Sequence, residues 1–180
     1  MSAETPPSID DLITAFQQLK GADVGRGPYH PTAAQPACAD EITRFLRTFP
    51  FLSNYPDYVR FLQHYAGATL EHFLLEQNTH HTVFLLGFAP ESWHIYDEMT
   101  DADLIDANGF YIFAITLVED PTHLVEHAYS FAATNQHPPG VYRSVNQPHA
   151  DLEYPPVYQR HCDYFWEFVA EIIQKEGCLS

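Results

Sequence analysis

Gly109-Phe110-Tyr111-Ile112-Phe113-Ala114-Ile115-Thr116-Leu117-Val118 decides the fold of this chain. The run is almost continuously apolar and rich in aromatic and β-branched side chains, as a strand buried on both faces requires. It therefore belongs near the centre of a sheet. Asn108-Gly109 in front of it is a tight-turn dipeptide. Upstream, Thr82 to Phe88 is a second short run of β-formers. Downstream, His127 to Ala132 and Val141 to Val145 read as further strands, joined across Pro138-Pro139-Gly140. Proline-rich Gln147 to Pro156 reads as loop.

Helical patterns flank the strands. Ser8 and Asp11 form an S-x-x-D capping box, and Ile9, Leu12, Ile13, Phe16 and Leu19 follow at helical spacing up to Gly21. A second helix spans Asp40 to Phe49 and stops at Pro50. A third begins near Asn54, with Pro56 in its first turn, and closes at Gly67. A last one is expected from Tyr158 to Lys175, its stripe being Phe165, Phe168, Val169, Ile172 and Ile173, with Gly177 as its stop. Helices, then strands, then a helix predict an α+β fold with an antiparallel sheet covered by helices on one face. Residues 1–38, a helix and a Gly/Pro-rich segment, form an N-terminal extension that packs as an appendage; 39–180 form the main domain.

Charge removes several function classes. The 180 residues carry a formal net charge of −16, with 24 acidic residues against 8 basic ones. Binding nucleic acid through phosphates needs clustered lysine and arginine, and anionic membrane surfaces need the same. Both are excluded as partners. The 82 residues between Arg60 and Arg143 contain no lysine or arginine but eleven carboxylates. Such a region attracts cationic partners. Cys38, Cys162 and Cys178 are an odd number of widely spaced cysteines, read as free thiols in a reducing cytoplasm. The N-terminus lacks the basic and apolar regions of a signal peptide, and no apolar run approaches the roughly 20 residues of a membrane span.

Four segments in this order resemble the SMI1/KNR4, or SUKH, superfamily. Asn54-Tyr-Pro-Asp-Tyr-Val-Arg-Phe-Leu-Gln-His-Tyr-Ala-Gly67 resembles its helix, in which proline and an acidic residue precede Tyr-x-x-Phe-Leu. Leu104-Ile-Asp-Ala-Asn-Gly-Phe-Tyr-Ile-Phe113 resembles its turn-and-strand hairpin, Val141-Tyr142 after Pro-Gly a following strand, and Asp163-Tyr-Phe-Trp-Glu-Phe-Val169 its closing helix. The family's Gly-Gly after the third helix is Ala66-Gly67 here. The resemblance implies a protein-interaction domain with no shared catalytic residues and no cofactor. Many bacterial members of that family are immunity proteins that neutralise toxins, and fungal members act in cell-wall signalling. The expectation is an immunity protein whose partner is a basic toxin domain. A regulatory interaction module without a toxin and a metal-dependent hydrolase are the alternatives.

The densest acidic stretch holds Glu91, Asp97, Glu98, Asp101, Asp103 and Asp106, with Trp93 and Tyr96 among them. Carboxylates can mimic phosphates in a basic cleft, and aromatics make good anchors. The same stretch also reads as a solvated loop. His80-His81, His149-x-Asp151-x-Glu153 and His161 with Asp163 are chance pairings without zinc-site spacing, so no metal site is assigned. Cys162 falls on the helical face of Phe165 and Val169 and reads as a core thiol. Trp166 lies off that stripe, where a partner can reach it. Carboxylates near histidines are expected to raise the histidine pKa, so partner affinity should respond to pH between about 8 and 5.5.

Overall fold

The computed structural model describes residues 7–20, 22–24, 39–64, 68–74, 78–85, 105–145 and 157–179. The chain is α+β. In order the elements are α1 (Ile9–Gln17), β1 (Ala22–Val24), α2 (Ala39–Thr48), a 3₁₀ turn (Pro50–Asn54), α3 (Pro56–His64), β2 (Ala68–Leu74) and β3 (Thr79–Leu85). They continue with β4 (Phe110–Glu119), β5 (Leu124–Ala132), β6 (Val141–Val145), β7 (Val157–Cys162) and α4 (Phe165–Gln174). Among the described residues the strands form one seven-stranded antiparallel sheet in the order β1 to β7, so each strand lies beside its neighbours in sequence. β4 sits at its centre, as its apolar run predicts. No helix among these residues is long and apolar enough to cross a membrane.

The register assigns the faces. Leu70, Val83, Thr116 and His127 follow one another across β2 to β5, and Tyr111, Phe131 and Val141 across β4 to β6. The aromatic part of this inner face lies under the helices. Phe113 and Phe131 stack with centroids 4.0 Å apart, Tyr58 of α3 stands edge-on to Phe131 at 5.0 Å, and Phe168 of α4 meets Phe113 at 90°. Tyr58, Phe113, Phe131 and Phe168 are completely buried. Each such side chain contributes roughly 1.5–3 kcal/mol by leaving water. Ile9, Leu12, Ile13 and Phe16 of α1 join the same core, and α1 packs against α3 and α4. The opposite face has a smaller cluster, in which Phe110 stacks on Tyr158 at 4.0 Å beside Ala132 and Tyr142.

Three segments differ in secondary structure from the sequence expectation. The helix expected from Tyr158 starts only at Phe165, because residues 157–162 pair with β6 as β7. The Glu167 carboxylate accepts the N–H groups of Asp163 at 2.9 Å and Tyr164 at 3.1 Å, and so caps α4 where it begins. Cys162 is therefore on a strand, although it still packs against the core. The other two are Ala22 to Val24, read as linker, which form β1, and β2, which has no counterpart in the expected strands. Gly177 has φ +84, and its N–H bonds to the Ile172 carbonyl at 2.9 Å, ending α4 as predicted.

Candidate functional site

Of the acidic candidates, Asp106 lies within the described residues; Glu91, Trp93, Tyr96, Asp97, Glu98, Asp101 and Asp103 lie outside them. Asp106 organises the turn into β4. Its Oδ1 accepts the N–H groups of Asn108 and Phe110, both at 2.9 Å, and its Oδ2 accepts the Tyr158 hydroxyl at 2.7 Å. Burial first, then the bond to Asp106, pushes the Tyr158 hydroxyl far above its ordinary pKa. Gly109 completes the turn at φ +80, with Thr134 so close that a Cβ would lie 2.6 Å from its Oγ1. The Asp106 carboxylate thus ties β4 to β7.

The histidine pairings separate in space. His80 and His81 are neighbours on β3, so they point to opposite faces. His80 stands opposite Glu119 and His81 opposite Val118. His161 Nε2 lies 2.5 Å from Glu171 Oε2, whereas Asp163 pairs with Arg160 at 2.8 Å. His149, Asp151 and Glu153 lie outside the described residues. Among the described residues no three His, Cys, Asp or Glu side chains gather to hold a metal ion.

Other reactive groups are engaged within the fold. Burial, reinforced by Glu167 and Glu171, pushes the Cys162 thiol up to about 12, so it is protonated at neutral pH and no thiolate nucleophile. The thiol donates to the Tyr164 carbonyl at 3.4 Å. Burial would raise the Glu171 carboxyl, but hydrogen bonds from Lys175 and His161 outweigh it and hold the pKa below the usual range. His127 runs against the expectation of raised histidine pKa values. Burial first, then the Arg143 cation, lowers it, and Arg143 Nη2 lies 2.7 Å from His127 Nε2. Arginine can only donate, so His127 receives this bond on a bare nitrogen. Trp166 is half-buried, 6.1 Å from the parallel Tyr164 ring.

The outer end of the β4–β5 hairpin has a different character. Asp120-Pro121-Thr122-His123 makes the turn, in which Asp120 Oδ1 accepts from the Thr122 hydroxyl and N–H at 2.7 Å and from the His123 N–H at 2.8 Å. Those bonds, the Thr122 hydroxyl's first, hold the Asp120 carboxyl down at about 2, so it is ionised at any physiological pH. Glu119 and Glu126 flank the turn and are exposed. Leu124 and Val125 are 63% and 43% exposed, large values for apolar side chains in a strand. A hollow of 430 Å³ lies alongside, lined by Asn78, His80, Glu119, Asp120 and Pro121. The carboxylates here were visible in the sequence; the exposed aliphatic pair was not. Its one sequence signal is Leu-Val directly after a four-residue polar turn.

No protein-family model, curated protein or solved structure matches this chain.

Proposed function

We propose that this chain is a protein-binding module that acts in the cytoplasm as an immunity protein, neutralising a bacterial toxin with a basic surface. The observation that carries the reading is an acidic surface beside an exposed apolar side chain. Leu124 projects beside Glu119 and Asp120, in a region of sequence with no lysine or arginine from 61 to 142. Acidic surfaces of this kind accelerate association with basic proteins and repel polyanions. The resemblance to the SMI1/KNR4 segments supplies the toxin-neutralising part of the reading. The chemistry of the described reactive groups favours binding over catalysis: Cys162 is a protonated thiol, Asp106 holds a turn, and His127 and His161 are bonded to Arg143 and Glu171.

Affinity purification of the whole protein from its native host at low salt tests this. The expected result is a co-purifying basic protein whose toxicity or enzymatic activity the chain suppresses. A basic partner that is not inhibited would leave a regulatory interaction module in place of an immunity protein. Purification without any protein partner refutes both.

A further inference from the structure

We propose that the face carrying His80, Glu119 and Leu124, at the outer ends of β3, β4 and β5, is the docking surface for a basic protein. That partner offers an apolar socket to Leu124 and an arginine or lysine side chain to the hollow beside it. The proposal rests on the binding-module reading above and narrows it to one surface and one partner chemistry.

The sheet register places these side chains together. His80 stands opposite Glu119, and Glu119 opposite Leu124, so the three form a row across three strands on one face. Val125, the next residue, stands opposite Val118 on the other face. His80 and Glu119 of that row line the 430 Å³ hollow, and Glu119 and Asp120 supply its carboxylates. A volume of this size accommodates a long basic side chain. Asp120 uses Oδ1 for the turn. Its Oδ2 and the Glu119 carboxylate have no hydrogen-bond partner among the described residues. Paired carboxylate oxygens fit a guanidinium fork or an ammonium group.

Charge complementarity commits the surface to a cationic occupant, because the sequence offers no lysine or arginine between Arg60 and Arg143. Leu124 adds the apolar anchor that distinguishes docking from diffuse attraction. Among the described residues Leu124 to His127 have a ladder partner in β4 alone.

The test uses the full chain, isotopically labelled for NMR, titrated with the capped tetrapeptide Arg-Leu-Arg-Leu. Amide shifts are expected to cluster at Asn78 to His80 and Glu119 to Glu126. Leu124→Ser and Glu119→Gln should each weaken binding by about threefold or more, whereas Val125→Thr, on the opposite face, should leave it unchanged. Binding should weaken as salt rises from about 0.05 M to about 0.5 M. Shifts that spread over the acidic surface, shifts that cluster elsewhere, or the absence of binding overturn the proposal. Equal binding of Arg-Gly-Arg-Gly overturns it too, since charge alone would then suffice. The peptide map judges the surface whether or not a protein co-purifies from the host, so this proposal and the binding-module reading fail separately.

Discussion

The two ends of the β4–β5 hairpin share one ladder and lead different lives. At the inner end Phe113 and Phe131 stack at 4.0 Å and are fully buried. At the outer end Glu119 faces Leu124, and both are exposed. Burial along β5 climbs from exposed at Leu124 to buried at Ala132 without any change of strand geometry. The difference lies in the face each residue joins and what covers it: Phe131 looks toward the helices and Leu124 away from them. Tyr58 of α3 and Phe165 and Phe168 of α4 meet the inner end. The same kinds of apolar residue therefore hold the fold together at one end and remain available for contact at the other.

Phe131→Ala should produce the largest effect, a loss of about 3–5 kcal/mol in urea unfolding, through cavity formation in a close-packed site. A loss below about 1 kcal/mol would mean that the inner end is no tighter than the outer one. Asp106→Ala comes next, at about 1.5–3 kcal/mol, because it removes a charged acceptor from two backbone N–H groups and the Tyr158 hydroxyl. Its signature is faster amide exchange at Asn108 and Phe110.

Acidification probes the middle of the hairpin, where His127 lies. Its folded pKa is lowered, so the unfolded chain binds the proton more readily and stability falls as pH drops below the ordinary histidine value near about 6.5. Glu171, also lowered, adds a further loss at more acid pH, below the ordinary glutamate range. His127→Gln should flatten the first part of the stability–pH curve, between about pH 7 and pH 5. A wild-type curve that rises on acidification over that range would reverse the sign. Leu124→Ser should be the smallest, within about 0.5 kcal/mol of wild type by thermal or urea unfolding. A large loss there would turn the outer end into a second core.

Much of this division could be read in advance, and the remainder shows where sequence runs out. The Gly109 to Val118 run announced β4 because a strand buried on both faces needs no alternation. The stripe of Phe165, Phe168, Val169 and Ile172 announced α4 for the opposite reason, its helical period. β7 was hidden because Val157 to Cys162 runs straight into that stripe, and only pairing with β6, more than ten residues earlier, makes it extended. β2 was hidden by Glu71 and His72 in its middle, which local pattern does not assign to a strand. At the candidate docking surface the acids were legible as charge. The exposure of Leu124 was not, because it depends on which face of β5 the helices cover, a property of tertiary packing.

The meander of the sheet has a further consequence, in the order of events during synthesis. Each ladder joins strands that leave the ribosome one after another, so sheet pairing is local and can proceed as the chain grows. α1 is the exception. Its buried partner α4 begins 156 residues after it. Until Phe165 and Phe168 have been made, Leu12, Ile13 and Phe16 have no such helix to lie against. α1 therefore completes its packing only after α4 has been made.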